Sequence, residues 1–385
     1  MHVDTQADTP PREEDGHHSR RRAGVGEHTA AARRVLLTPP APGTLAHGPR
    51  ITAAVRAAEL TGQPGLAARY LAMTPRGAVA PDPALTGAVR DFTDRVTLAP
   101  GAAGPGLLRA LTARGLDAPA VVALAQICAF VAYEARVASG LALLDGEPAA
   151  EAVEHSPAPS PTGPRPPSAA RFTLDELSWR PRIPAVDADA LTAGQRAVLD
   201  AHATLSAASP YYRTLLHDPA ALDHRTHVYN AVMYGRGGLP RAERELATLL
   251  VSRANGCVYC ASVHGRKYAL LSRDEATALR VLREGGDALA DDARGLALAR
   301  FAEAQTSTPP RGGPAEVAAL RAAGLTEAEL TDLVHAVALF GWANRLMLVL
   351  GDAEPLRRPD AGVPRDDARE SCSRTPDRNP RTGDA

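Results

Sequence analysis

Lysine is nearly absent from this chain. Lys267 is the only one, so arginine supplies almost all the positive charge. This is a composition bias and carries no function by itself. With 43 Lys+Arg against 44 Asp+Glu, the net charge is −1. That removes the basic footprint a nucleic-acid or anionic-membrane surface would need. Aromatic residues are scarce at 4%, against 45% hydrophobic residues, so the core must be built from Ala, Leu and Val. Four cysteines, Cys128, Cys257, Cys260 and Cys372, are not the framework of a disulfide-scaffolded secreted domain. The N-terminal stretch has no apolar segment of the signal-peptide kind, which leads to the expectation of a cytoplasmic protein. No P-loop, G-x-G-x-x-G fingerprint or nucleophile-elbow serine stands out. The Gly235–Gly238 cluster reads as a turn because no strand precedes it.

What is present is helical. A chain of 385 residues is enough for two to three domains. Residues 1–45 are rich in Pro, Arg, Asp, Glu, His and Gly without apolar periodicity, and are expected to be a disordered tail. Residues 46–146 read as a compact helical unit. Its helices are predicted over 51–60, 85–97, 106–114 and 121–144, with a break at Thr61-Gly62-Gln63-Pro64-Gly65. The last of these is long enough to raise a membrane-spanning question, but Gln126, Glu134 and Arg136 interrupt it, so it reads as a buried core or interface helix. Residues 147–171 are a Pro/Ser/Ala linker. Residues 172–352 form a second helical unit, with helices over 190–206, one or two across 274–306, and 326–350. From 353 to 385 the chain is polar again and is expected to be disordered. The expected fold class is all-α.

The chemistry concentrates in Leu239–Leu271. Pro240 suits the first turn of a helix that carries Leu246, Ala247, Leu249, Leu250 and Ala254 at helical spacing. Asn255-Gly256 ends it, since both residues tolerate positive φ. A second helix beginning near Cys257 places Cys257 and Cys260 on one face of its first turn, with Cα atoms roughly 5–6 Å apart and within disulfide range. His264 lies one turn further along that face. A helix N-terminus stabilises an anion, and the thiolate is the nucleophilic form of cysteine. Glu245, twelve residues before Cys257, is placed to orient His264 or pass protons through it. Two other readings stay open. The thiols and His264 are also three ligands of a zinc site, although a structural zinc site usually brings a second Cys or His pair and none is spaced for it here. The cysteines are also compatible with an inert core pair.

Glu245…Asn255-Gly256-Cys257-Val258-Tyr259-Cys260…His264 resembles the motif of the alkylhydroperoxidase D / carboxymuconolactone decarboxylase family. In the peroxidase branch the resemblance implies an all-helical, usually oligomeric fold and a CxxC pair that cycles between dithiol and disulfide. Carried onto this chain, Cys260 is the peroxidatic thiolate, Cys257 the resolving thiol, and Glu245 with His264 the proton relay. The branch often has a histidine just before the peroxidatic cysteine. Here that place holds Tyr259, a poor proton shuttle at neutral pH. The implied function is thiol-dependent reduction of organic hydroperoxides. No bound cofactor is expected, only an external dithiol reductant such as a lipoyl or thioredoxin-type partner. The alternatives are a disulfide reductase or redox relay, a lactone decarboxylase that would need no dithiol, and a zinc-stabilised interaction module.

An internal repeat ties the two units together. A shift of 209 overlays 92–141 on 301–350: Phe92 meets Phe301, Pro105 meets Pro314, Gly115-Leu116 meets Gly324-Leu325, and Arg136 meets Arg345. If Thr61-Gly62 is set on Asn255-Gly256, Ile51, Gln63, Leu66 and Tyr70 stand where Glu245, Cys257, Cys260 and His264 are. The expectation is a duplication whose first copy kept the scaffold and lost the site, and a homo-oligomer resembling a trimer of such chains. Tyr229, Tyr234 and His227 are candidates to line a pocket. His335 reads as a core or interface histidine more readily than a site residue, and Arg253 and Arg266 as surface charges.

Overall fold

The computed structural model describes residues 24–76, 82–147 and 172–356. Within them lie fifteen α-helices: α1 Val25–Leu37, α2 His47–Leu60, α3 Pro64–Ala72, α4 Pro83–Leu98, α5 Pro105–Thr112, α6 Ala118–Leu144, α7 Ala193–Ala201, α8 Pro210–Leu215, α9 Pro219–Tyr234, α10 Arg241–Ala254, α11 Val258–Ser272, α12 Glu275–Glu284, α13 Ala293–Thr306, α14 Pro314–Ala322 and α15 Glu327–Leu350. The one sheet among the described residues is an antiparallel pair, β1 Leu177–Pro181 with β2 Gly351–Pro355. The all-α expectation holds apart from this pair.

The core sits along α6 and α15. Each is long and apolar enough to cross a membrane, yet 89% and 94% of their most apolar windows are buried inside the protein. A helix that is apolar all round has no solvent face, so each covers the other. Asp117 caps α6 by accepting from the Ala120 N–H, and a Thr326/Glu329 capping box starts α15. Gly140 lets the two approach, because a Cβ there would stand 2.6 Å from Val334 Cγ1. The packing is reciprocal. Arg136 of α6 donates to the Thr306 carbonyl at 2.6 Å, Arg345 of α15 donates to the Thr97 carbonyl at 2.9 Å, and both reach Thr308 Oγ1. The described residues up to Pro355 share one compact unit, in which helices of the stretches expected as separate domains, 46–146 and 172–352, pack together along α6 and α15.

Two boundaries move. The tail expected over 1–45 gives way at Gly24 to α1, whose buried face (Val25, Ala32, Leu36, Leu37) packs on α9 and α2. A shift of 194 carries Val25, the first residue of α1, onto Pro219, the first residue of α9. The tail expected from 353 likewise gives way to β2, where Trp179 of β1 covers Gly351 and donates to the Met347 carbonyl at 3.1 Å. The rest of both tails, 1–23 and 357–385, and nearly all of the linker over 147–171 lie outside the described residues.

Histidines join α1 to α9. The His28 ring stacks on His227 at 4.0 Å, and its Nδ1 is 3.2 Å from Nδ1 of His224. Burial first, and then neighbouring imidazoles, lower the pKa of His28; Glu27 and Asp223 pull the other way. His224 is lowered too, chiefly by burial, with His227 and Arg34 adding to the effect. Both therefore bind protons more tightly unfolded, where the pKa is 6.5, than folded. Their contribution to stability is complete above 6.5 and is lost as pH falls below it. The melting temperature should drop between about pH 7.5 and about pH 5.5, and His28→Asn should shrink that drop. Equal drops in the two proteins would remove this junction as the cause.

Candidate active site

α10 and α11 bring the motif together. Gly256 adopts φ +75°, which turns the chain back so that the Cys257 N–H bonds to the Ser252 carbonyl at 2.8 Å. Cys257 is the N-cap of α11, and Cys260 lies in its first turn. Both thiols are free and buried, at 2% and 5% exposure. Their surroundings differ. Cys260 lines a cavity of about 220 Å³, whereas Cys257 is not among the lining residues. Burial, then the neighbouring Cys260 sulfur, hold the Cys257 thiol well above its ordinary range; a hydrogen bond from Asn344 opposes this. Cys257 therefore stays a thiol at neutral pH.

Glu245 and His264, expected from sequence to act together, also meet. His264 Nδ1 is 2.5 Å from Glu245 Oε2, and the Glu245 carboxylate is fully buried. Arg241 Nε donates to Glu245 Oε1 at 2.8 Å, while the Arg241 guanidinium lies 4.2 Å from the Tyr234 ring centre. Burial alone would raise the Glu245 carboxyl, but His264 and Arg241 together hold it below the usual carboxylate range. Burial lowers His264 below its ordinary value, with Glu245 partly offsetting it. A neutral imidazole with a carboxylate on Nδ1 carries its proton there, which leaves Nε2 as an acceptor. Phe340 packs edge-on against the ring at 4.5 Å and fixes its orientation.

The cavity walls are rich in tyrosine. Tyr211, Tyr212, Tyr229, Tyr234 and Tyr259 line it, five of the eight tyrosines in the chain. Burial raises Tyr211, Tyr212, Tyr229 and Tyr259 above their ordinary values, so these phenols remain donors.

Of the weaker sequence candidates, Tyr229 and Tyr234 line the cavity, and His227 and His335 do not. His335 is buried in α15. Arg253 donates to the Leu282 and Arg283 carbonyls, and Arg266 pairs with Glu176 at 3.2 Å, so neither points at the thiols. In the first half, Tyr70 stands at the place matching His264 and donates to Glu134 at 2.7 Å, a buried structural contact. Cys128, pushed up to about 12 by burial, is a packing residue.

Three contributors escaped the sequence reading: Arg241, Asn344 and Arg225. Asn344 accepts from Asn255 at 3.0 Å and donates to Ser252 Oγ at 3.1 Å, fixing the turn that presents Cys257. A polar residue inside the apolar run of α15 was the available signal. Away from the thiols, His202, Asp223 and His227 bring possible metal-ligand atoms within 4.8 Å of one another.

Residues 219–303 match the carboxymuconolactone decarboxylase family. The match takes in α9 to α12 and most of α13, and so all four motif residues. A solved structure of an uncharacterized peroxidase-related protein from Silicibacter sp. TM1040 aligns at 25% identity with a TM-score of 0.33, covering 36% of this chain and 74% of that one. No curated protein matches the chain. The family segment thus holds both thiols, Glu245 and His264, and residues outside it, on α8 and α15, add to the cavity wall.

Proposed function

We propose that the protein is a thiol peroxidase that reduces organic hydroperoxides through Cys260 and Cys257. One observation carries this reading: Cys260 faces the cavity beside the His264–Glu245–Arg241 chain, while Cys257 stands behind it as a protonated thiol. His264 takes the Cys260 proton at Nε2. The Cys260 sulfur attacks the terminal oxygen of ROOH, the O–O bond breaks, and the alkoxide leaves as ROH with the proton from His264. Cys260 is then a sulfenic acid. The Cys257 thiol attacks it, releasing water and forming the Cys257–Cys260 disulfide. An external dithiol reduces that disulfide by exchange and becomes a disulfide itself. Nothing in this sequence calls for a bound cofactor.

The first half is then a copy that kept the scaffold and lost the chemistry. The shift of 194 that relates α1 to α9 and the shift of 209 that relates α6 to α15, together with the reciprocal arginines Arg136 and Arg345, support that descent. A second reading, lactone decarboxylation, rests on the family matched by residues 219–303; it uses Glu245 and His264 as acid and base and gives the thiols no role.

Glu245→Gln tests the relay. Loss of a positioned acid–base partner is expected to lower kcat/KM for a hydroperoxide by about a hundredfold. His264 must be neutral to accept the proton, so the acid limb of the wild-type profile should lie below the ordinary histidine value of 6.5. Glu245 raises His264, so its removal should move that limb lower still. A limb that stays in place would show that Glu245 does not act through His264.

A further inference from the structure

The cavity at Cys260 holds a buried cation without an anion. Five arginines are at least nine-tenths buried: Arg50, Arg136, Arg225, Arg244 and Arg345. Four of them place their terminal N–H groups on acceptors, although Nε of Arg136, Arg244 and Arg345 has no hydrogen-bond partner among the described residues. Arg50 reaches three backbone carbonyls, Arg136 and Arg345 reach carbonyls and Thr308, and Arg244 reaches two carbonyls and Asp332. Arg225 is the exception. At 4% exposure, its guanidinium meets the rings of Tyr211 and Trp342 at 6.0 and 5.8 Å, and no hydrogen bond joins any of its N–H groups to a described residue. Tyr211 carries a second unpartnered buried atom, its phenol oxygen.

A guanidinium cannot shed its proton, and burying it without a counter-charge is costly. Arg225 and Tyr211 both line the cavity. So does Lys267, and no aspartate or glutamate does. The walls are therefore positive and aromatic, and the missing partner is an anion that enters from the cavity. The planar fork of arginine matches a carboxylate, and the five tyrosine rings suit a flat or unsaturated body behind it.

We infer that Arg225 anchors the carboxylate of the ligand that reaches Cys260. Resting on the peroxidase reading, the substrate is an organic hydroperoxide that also bears a carboxylate, held so that its peroxide end meets the thiol. The anchor adds no chemical step. It selects the substrate and positions it.

The test uses the reduced full-length protein and small stable probes. Benzoate, benzamide and inorganic phosphate are titrated while iodoacetamide alkylates Cys260, read by peptide mass spectrometry. Benzoate should protect Cys260, and benzamide, with the same ring and no charge, should not. In Arg225→Gln the benzoate concentration needed should rise about tenfold to hundredfold, the loss expected when a charged hydrogen-bond partner is removed. Circular dichroism checks that the variant is folded. Should it melt below the assay temperature, Arg225→Lys keeps the charge, loses the fork, and should bind benzoate between the two. Equal protection by benzoate and benzamide, or undiminished benzoate binding in the Arg225 variants, overturns the proposal. Phosphate protecting as well as benzoate overturns the carboxylate assignment in favour of a phosphoryl ligand. Benzoate protection in a protein whose thiols ignore hydroperoxides would end the peroxidase reading and leave Arg225 as the anchor.

Discussion

Cys260→Ser is expected to lower hydroperoxide reduction by at least about a thousandfold, the scale of loss when a covalent nucleophile is removed. A serine hydroxyl is nearly isosteric with the thiol but does not ionise near neutral pH, and oxygen is a poor nucleophile toward a peroxide. The residue sits in the cavity wall, so the change leaves the packing behind it in place. Melting temperature should therefore stay close to wild type while turnover is lost. Cys257→Ser should behave differently. Its first encounter with hydroperoxide should proceed, because Cys260 and the His264 relay remain, and turnover should then stop at the sulfenic acid. The contrast also separates the two readings of the site. A lactone decarboxylase working through Glu245 and His264 would keep its activity in both serine variants.

Trp342→Ala is expected to cost about 3–5 kcal/mol, the usual range for deleting a large buried aromatic. Trp342 has no exposed surface. It spans the junction of the two halves: its Nε1 donates to Gln126 of α6 at 2.8 Å, and its ring packs edge-on against Phe130 at 5.1 Å and tilted against Tyr133 at 5.6 Å. Alanine leaves a cavity in the α6–α15 seam and strands the Gln126 amide, which has a second unpartnered atom already. A drop in melting temperature on the order of 10 °C follows for a unit of this size. Because the halves share this seam, the melt should remain a single transition shifted downward. Two separated transitions would mean that the halves are independent domains.

How far the sequence alone carried the reading depended on range. The α10–turn–α11 hairpin was legible because its determinants are local: Leu246, Leu249 and Leu250 set the helix face, and Asn255-Gly256 sets the turn. The grouping of Glu245, Cys257, Cys260 and His264 followed from that hairpin and from the family resemblance. The correspondence proposed between the two halves was drawn from Gly115 and Gly324, which both adopt positive φ, at +87° and +82°, and from Pro105 and Pro314, which both open helices. Contributions that long-range packing decides were not legible. α1 has only a short apolar face within a polar, Pro- and Arg-rich stretch, and it is held by α9, almost two hundred residues away. β2 exists because Trp179 and Arg182 meet Gly351 and Asp352. Arg225 carries no local signal that sets it apart from other helix arginines; its burial is decided by packing against Tyr211 and Trp342. Arg241 drew no reading from the sequence, yet it closes the ion pair on Glu245.

The most direct test of the central claim is a thiol count on reduced protein before and after one equivalent of an organic hydroperoxide, for wild type and Cys257→Ser. The account predicts that wild type loses two thiols rapidly and that peptide mapping finds a Cys257–Cys260 disulfide. It also predicts that Cys257→Ser yields a sulfenic acid at Cys260, captured by a dimedone-type reagent. Thiols that react no faster than free cysteine, or a sulfenic acid at Cys257 instead, would contradict it.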